Sequence, residues 1–141
     1  MTRFRTVVLS LGAAIGCFSC GGNNGGASYD GTWQLTVSIS SCYSFTHTVP
    51  ITISDGLFSG PLFQYCTVAT SGATRLSADD CLGDIAQDVS VENGEVDGEW
   101  ISGNLFLAGD ACNGGNGFSG TFTDKNNGSA SSYWGTLSFK R

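Results

Sequence analysis

Basic residues, histidine and proline are scarce in this chain of 141 residues. Six Lys and Arg stand against 12 Asp and Glu, which gives a formal net charge of −6. Nucleic-acid binding requires clustered Lys and Arg residues, so the composition argues against a nucleic-acid partner. Charged residues make up only 13% of the chain and hydrophobic residues 40%. This balance excludes a chain kept disordered by charge repulsion, and the length fits one folded domain.

A long hydrophobic run is also missing. The apolar stretch at residues 6–16 has 11 residues and follows a basic start with Arg3 and Arg5, whereas a helix that spans a bilayer needs about 20 residues. A basic start, a short apolar stretch and a small residue at its end are typical of a secretory signal that is removed. We therefore expect residues 1–16 to be a signal peptide.

The residues around the expected cleavage point are Ala14-Ile15-Gly16-Cys17, which resemble the lipobox of bacterial lipoproteins. The resemblance implies a diacylglyceryl group on the Cys17 thiol, cleavage before it and an acylated new amino terminus. More than one acyl chain gives stable membrane attachment. The residue pattern before the cysteine, as expected in a lipobox, favours Cys17 as the lipidated residue. Cys20 is the alternative lipidation site, because cleavage there leaves an even set of later cysteines.

Three regions are therefore expected along the chain. The signal peptide of residues 1–16 precedes the lipidated cysteine and a flexible Gly/Asn-rich tether at residues 17–28, and residues 29–141 form the folded domain. The resemblance implies a protein held in the cell envelope by its lipid anchor. Phe18 rather than Asp follows Cys17, which is similar to lipoproteins sorted to the outer membrane of Gram-negative cells.

The folded region alternates apolar and polar residues with period two, as in the odd-numbered apolar series Trp33, Leu35, Val37 and Ile39. This alternation is typical of strands with one buried face. Asp55-Gly56 and Asn93-Gly94, and more weakly Gly103-Asn104, predict two-residue hairpin turns. The predicted strands are 31–40, 46–54, 57–66, 68–77, 85–92, 95–102, 105–110, 117–124 and 132–140.

These strands predict an all-β fold, a small antiparallel up-and-down β-barrel of eight or nine strands, with a β-sandwich as the alternative. Around the Asp55-Gly56 turn, His47 is expected to oppose Gln64. Pro50 and Pro61 fall opposite each other there, and proline cannot donate to a ladder, so a bend or broken pairing is expected.

Closure of the barrel would place the last strand beside the first, and Arg141 beside Trp33. Gly31-Thr32-Trp33 together with Lys140 or Arg141 resembles the lipocalin and wider calycin group. In that group the first strand carries Gly-x-Trp and the last strand supplies a base that packs over the tryptophan. The resemblance implies a calycin-like barrel.

Candidate chemistry is sparse. No second metal ligand stands at a recognisable spacing from the only histidine, His47. The chain also lacks a Gly-x-Ser-x-Gly nucleophile motif and a phosphate-binding Gly-x-x-x-x-Gly-Lys-Ser/Thr. We therefore expect neither an enzyme nor a cofactor. The candidate ligand-binding residues, placed on the apolar face or at the barrel rim, are Trp33, His47, Phe58, Gln64 and Tyr133.

Acidic residues are concentrated, with eight of the 12 carboxylates between residues 79 and 99. With a turn at Asn93-Gly94, Glu92 would oppose Glu95 and Asp88 would oppose Glu99. A solvated acidic outer face is the favoured interpretation. The weaker alternative is a divalent-cation site, because such cations prefer hard oxygen ligands. Its candidate ligands are Asp88, Glu92, Glu95, Asp97 and Glu99.

The four later cysteines, Cys42, Cys66, Cys81 and Cys112, predict two disulfides in an oxidising compartment. Cys42 follows the first strand and Cys66 ends the third, so a meander places both at one end. The leading pairing is therefore Cys42–Cys66, which leaves Cys81 for Cys112.

Two functional hypotheses follow. The favoured one is a non-catalytic envelope lipoprotein, structural or bound to another envelope protein through an outer face that exposes Ile101, Phe106 and Trp134. The alternative is a lipocalin-like carrier that holds a small apolar ligand in a barrel interior left open by inward glycines such as Gly120 and Gly135.

Overall fold

The computed structural model describes residues 29–67, 74–76, 85–109 and 112–141. The signal peptide, the tether, both candidate lipidation sites and Cys81 lie outside the described residues. The predicted all-β class is confirmed, since the described residues contain strands and no α-helix. The strands are β1 (Gly31–Ile39), β2 (Phe45–Ile53), β3 (Leu57–Thr67), β4 (Thr74–Leu76), β5 (Ile85–Asp97), β6 (Trp100–Gly109), β7 (Gly114–Asp124), β8 (Asn127–Ser131) and β9 (Gly135–Lys140).

All nine strands form one antiparallel sheet in the order β2-β1-β9-β8-β7-β6-β5-β3-β4. Strands β5 to β9 are consecutive neighbours, and β9 returns to pair with β1, as an up-and-down barrel requires. The sheet is nearly closed. Its gap lies between β2 and β3, which share the single bridge Ser54↔Leu57. The short strand β4 pairs with the last residues of β3.

The alternation predicted for β1 is confirmed, because Trp33, Leu35, Val37 and Ile39 are all buried. Inward residues of the other strands complete one core, and the largest fully buried aromatic side chains besides Trp33 are Tyr65 and Phe139. Burial of each such side chain stabilises the fold by about 1.5–3 kcal/mol before the entropy of ordering is counted.

The two ends of the barrel differ. At the turn end, consecutive strands are joined at Asp55-Gly56, Gly98-Glu99 and Lys125-Asn126. The loop end, on the opposite side, carries the longer segments with Cys42, Cys112 and Trp134. Asp55 and Gly56 have φ angles of 53° and 75°, so the predicted Asp-Gly turn is confirmed.

The Asn93-Gly94 turn prediction is wrong, because both residues lie inside β5. Asn93 has a φ of 54°, and the pairing of β5 with β6 shifts register between Glu92 and Glu95. A positive φ thus serves a β-bulge here instead of a hairpin. Gly94 is required because a Cβ would overlap the backbone of Phe58.

The pairing that followed from that turn is also wrong. Glu92 opposes Asn104, Asp88 opposes Ala108, and Glu95 opposes Ser102. Gly103-Asn104 lies inside β6 and makes no turn. The predicted last strand 132–140 is shorter in the structure, and the strand β8 before it was not predicted.

The predicted hairpin ladder between β2 and β3 is absent, as the two prolines suggested. β3 pairs instead with β5, with register shifts between Phe58 and Gly60 and between Pro61 and Phe63. The second shift reverses the alternation of β3. Tyr65 is consequently buried in the core, and Gln64, expected on the inner face, lies opposite the exposed Asp88.

Candidate binding surfaces

The structure does not bring together the five predicted ligand residues, Trp33, His47, Phe58, Gln64 and Tyr133. Trp33 and Phe58 are buried in the core. Tyr133 is 68% exposed between β8 and β9. His47 lies at the gap between β2 and β3, and the Gln64 Nε2 donates a hydrogen bond of 2.6 Å to the Asp88 carboxylate on the outer surface.

Trp33 and Arg141 make the contact that barrel closure predicts. The guanidinium carbon of Arg141 lies 4.2 Å from the centroid of the Trp33 ring. Arg141 Nη1 also donates to the Asp30 carbonyl at 2.8 Å, and Trp33 Nε1 donates to the Tyr29 carbonyl at 2.8 Å. This cation–π contact and these hydrogen bonds hold the first and last residues of the described domain together at the turn end of the barrel. Arg141 covers the surface of Trp33 that a ligand would need.

The barrel interior is filled by side chains instead of forming a cup. Phe58, Phe118, Phe122 and Phe139 contact one another across it, with ring centroids 5.7–6.2 Å apart. Gly120 and Gly135 leave no empty volume, whereas a Cβ at Gly60 would meet no heavy atom within 4 Å. A Cβ at Gly120 would overlap the backbone of β8, and one at Gly135 would overlap the backbone of β1. These glycines allow close approach of neighbouring strands.

Aromatic side chains cross the gap between β2 and β3 where backbone pairing is missing. Phe45 stacks on Tyr65 with ring centroids 4.9 Å apart, and His47 meets the Phe63 ring edge-on at 5.2 Å. Such pairs contribute about 0.5–1.5 kcal/mol beyond their burial. His47 therefore serves as a packing residue at the gap. Between this cluster and the Asp55-Gly56 turn, a slot of about 150 Å³ reaches Phe58.

A larger open groove of about 1040 Å³ runs over the register shifts between β3 and β5. Leu62 and Pro61 contribute apolar surface to it, and Asp88 and Glu92 border it with carboxylates. Both outward-facing and inward-facing residues of β3 and β5 line its walls, so the groove is a consequence of the register shifts between these strands. Gln64 and Asp88 hydrogen-bond to each other there.

The carboxylates proposed as cation ligands point outwards without converging. Glu92, Glu95, Asp97 and Glu99 are exposed, and no group of three or more His, Cys, Asp or Glu able to hold a metal ion occurs among the described residues. Outside this set, Asp124 accepts hydrogen bonds from the Asn126 backbone amide and from the Asn127 side chain. Both bonds lower the pKa of its carboxyl, and the bond from Asn126 contributes most. Its oxygens thus complete a turn.

The loop end is tied by a disulfide that differs from the predicted one. Cys42 pairs with Cys112, so the expected Cys42–Cys66 and Cys81–Cys112 links are wrong. Cys66 is itself disulfide-bonded, to a partner outside the described residues. Cys66 lies fully buried near the end of β3, opposite Ala86. The meander argument placed Cys42 and Cys66 at the same end of the barrel, but this does not fix the pairing, because Cys112 lies at that end too.

Two buried polar side chains reinforce this end. The Tyr65 hydroxyl donates to the Cys42 carbonyl at 2.6 Å, and desolvation raises the pKa of that hydroxyl to about 12. Gln87 is 1% exposed and binds Cys112 twice: its Nε2 donates to the carbonyl at 2.7 Å, and its Oε1 accepts from the amide at 3.1 Å. Both backbones of the disulfide are thereby anchored to the core.

Two of the exposed large apolar side chains, Leu57 and Trp100, lie near the turn end. Leu57 is 58% exposed and opposes Glu95, and Trp100 is 65% exposed and opposes Asp97. We call Leu57, Glu95, Asp97, Glu99 and Trp100 the Trp100 surface. Within the described part of the chain, its three carboxylates form no ion pair or hydrogen bond with another residue. Ile101 and Trp134, expected on such a face, are buried.

The sequence pointed to the wrong residues because the turn at Gly98-Glu99 was not predicted. Ile101 was assigned to the outer face by counting from Asn93-Gly94 as a turn, and placing the turn at Gly98-Glu99 moves Trp100 outwards instead. No described helix is long and apolar enough to cross a membrane. The chain matches no family model, and it has no significant match among curated proteins or solved structures.

Proposed function

We propose that this chain is a lipid-anchored envelope protein whose β domain is non-catalytic and binds another envelope protein. The anchor is proposed from the lipobox-like Ala14-Ile15-Gly16-Cys17, with lipid on Cys17, or alternatively on Cys20, and attachment to the outer membrane in a Gram-negative cell. A filled interior supports a role carried out on the outside of the barrel.

The observation that carries partner binding is the Trp100 surface. Leu57 and Trp100 lie on either side of β5 and are each more than half exposed, and tryptophan is enriched at the centres of protein interfaces. Leu57 and Trp100 stand among three carboxylates that form no ion pair with any basic residue in the described part of the chain. A partner that presents basic residues around an apolar pocket fits this surface by charge and by shape.

Lipidation is tested by expressing the full chain in a bacterial host with labelled palmitate. The expected result is a labelled mature protein, accumulation of the precursor under globomycin, and loss of label in Cys17→Ser but not in Cys20→Ser. The reverse pattern would move the anchor to Cys20. Unlabelled wild type would contradict the anchor.

Partner binding is tested in cells with a photo-crosslinking residue at Ser102, which opposes Glu95 and is exposed. A crosslinked product is expected that weakens in Leu57→Ser/Trp100→Ser and at high salt. The matched control places the same crosslinker at Thr52, an exposed position on β2. Equal products from both positions, or none from Ser102, would contradict the surface.

A further inference from the structure

The Trp100 surface lies at the end of the barrel where the described chain begins. Tyr29 and Asp30 come directly before β1 and belong to the turn end. The Asp30 carboxylate accepts the amides of Asp55 and Gly56 at 2.9 and 3.0 Å, so the start of the domain is fixed beside the turn between β2 and β3. Any group attached to the preceding residues is therefore tied to this end of the barrel.

One route of contacts joins the start of the domain to the acidic part of the Trp100 surface. Gly56, whose amide binds Asp30, accepts a hydrogen bond at its carbonyl from the Val96 amide at 2.7 Å. Val96 stands between Glu95 and Asp97, two carboxylates of the Trp100 surface. Two hydrogen bonds through Gly56 thus separate Asp30 from that part of the surface.

A second route passes beneath the barrel. The Tyr29 ring stacks on the buried Phe122 ring with centroids 4.1 Å apart, and the Phe122 amide donates to the Glu99 carbonyl at 2.8 Å. Glu99 is followed by Trp100, the most exposed aromatic residue of the surface. The first residue of the described domain is therefore held close to the Trp100 surface from two directions.

Few residues separate this end of the barrel from the proposed anchor. With lipid on Cys17, the residues between the anchor and Tyr29 are 18–28, and with lipid on Cys20 they are 21–28. A chain extends at most about 3.3–3.6 Å per residue, so in any conformation Tyr29 lies within about 40 Å of the lipidated cysteine. The nine residues of β1 then lead about 30 Å further, to the loop end. The Trp100 surface is thus on the end of the domain that the anchor holds closest to the membrane.

The charge of the surface argues against the lipid itself as its ligand. Glu95, Asp97 and Glu99 form no ion pair within the described ranges of the chain, and a leaflet with anionic lipids repels such carboxylates. A protein can instead place basic side chains around an apolar pocket that receives Leu57 and Trp100. Charge complementarity therefore favours a protein close to the bilayer.

A shared membrane also raises the local concentration of such a protein. Two sites joined by a short link meet at millimolar effective concentration, an advantage that a partner free in solution does not receive. We infer that the Trp100 surface binds a protein embedded in the same membrane as the lipid anchor, at a basic site near the bilayer surface. The inference rests on the proposed function, because it identifies the partner of the same surface.

The location of the partner is tested in cells on the full chain, with a photo-crosslinking residue at Ser102 and a protease site inserted after Ala27. Proteolysis after irradiation frees the domain from its anchor, so only a crosslinked partner can then hold it in the membrane. The Ser102 product is expected to stay in the membrane through an alkaline carbonate wash, while the uncrosslinked domain is released. The matched control carries the crosslinker at Tyr133, which is 68% exposed at the loop end, and should give no retained product.

The reach of the linking residues is tested by inserting six EAAAK repeats after Ala27, a semi-rigid spacer of about 45 Å. The Ser102 product is expected to fall roughly tenfold, because the spacer holds the Trp100 surface away from a partner in the membrane. The matched control inserts five Gly and Ser residues at the same point and should leave the product unchanged. Immunoblotting of the membrane fraction verifies that both forms are equally abundant.

The outcomes separate this inference from the proposed function. A crosslinked protein that leaves the membrane after proteolysis, a product of two copies of this chain, or equal product with both spacers would overturn the inference and leave protein binding at the Trp100 surface intact. A crosslinked phospholipid in place of a protein would overturn both, and so would the absence of any product from Ser102.

Discussion

The two ends of the barrel are held by different kinds of interaction. At the turn end the Asp30 carboxylate accepts the amides of Asp55 and Gly56 at 2.9 and 3.0 Å, and Arg141 covers Trp33. At the loop end the Cys42–Cys112 disulfide and buried side chains bind the connecting segments. Tight turns satisfy their own backbone groups, whereas longer segments need added links.

Loop-closure entropy explains the difference. A two-residue turn brings its strands together at little entropic cost, and its positive φ angles are already favoured by Asp-Gly. The segments at the loop end order more residues, and each ordered residue costs about 1–2 kcal/mol of backbone entropy. A covalent link removes part of this cost by restricting the unfolded chain.

The largest expected effect is loss of the disulfide in Cys42→Ser/Cys112→Ser. The link closes a separation of 70 residues, for which the chain-entropy estimate is about 4 kcal/mol and the usual measured range about 2–5 kcal/mol. Urea unfolding measures the change. Amide exchange should speed up at Ser40 and Ser41, which bind the Trp134 carbonyl, before it does at Val96, which binds Gly56. Uniform acceleration at both ends would contradict the comparison.

The second effect is expected from Gln87→Met, which keeps a long side chain and removes both hydrogen bonds to Cys112. The amide and carbonyl of Cys112 are left without these partners, at about 1–3 kcal/mol for the pair because Cys112 is only partly buried. The matched control is Gln64→Met, whose side chain bonds to Asp88 on the outer surface. Its expected change is within about 0.5 kcal/mol. Equal losses in the two variants would mean that the loop end does not depend on Gln87.

An alkaline effect of about 2–3 kcal/mol is expected from Tyr65. Its folded pKa is raised from 10.0 to about 12, so between these values the unfolded chain loses the proton and the folded chain keeps it. The contribution of Tyr65 to the free energy of unfolding is therefore fully present below pH 10 and is lost as the pH rises to about 12. Unfolding measured across this range should show the loss in wild type and a smaller one in Tyr65→Phe. Identical pH profiles would contradict the assignment.

The sequence predicted the barrel because the relevant signals are local. Alternation in β1 fixes one buried face, and Asp55-Gly56 fixes a turn whatever surrounds it. Asn93-Gly94 carries the same turn signal yet lies in a bulge, since a positive φ at Asn93 suits both. Which of the two forms depends on the pairing of β5 with β3, a contact distant in sequence.

The surfaces were harder to predict for the same reason. One bulge in β3 turned Gln64 outwards and Tyr65 inwards, and the turn at Gly98-Glu99, which was not predicted, exchanged the faces of Ile101 and Trp100. A one-residue shift moves every later side chain to the opposite face. The Trp33–Arg141 contact was predictable, because it needs only that the last strand pairs with the first.

The smallest effect tests the turn end, where Arg141→Ala removes the contact with Trp33 and the bonds to the carbonyls of Asp30 and Lys125. Because the guanidinium is exposed, the expected loss is about 1 kcal/mol. Lys140→Ala is the control, since it removes the same charge from the neighbouring residue on the outer face and should change stability by less than about 0.5 kcal/mol. Thermal unfolding of both variants measures the difference, and amide exchange should quicken near Asp55 and Gly56 while the Ser40 amide stays protected. If Arg141→Ala instead cost as much as breaking the disulfide, the turn end would depend on the contacts of Arg141 as strongly as the loop end depends on its covalent link.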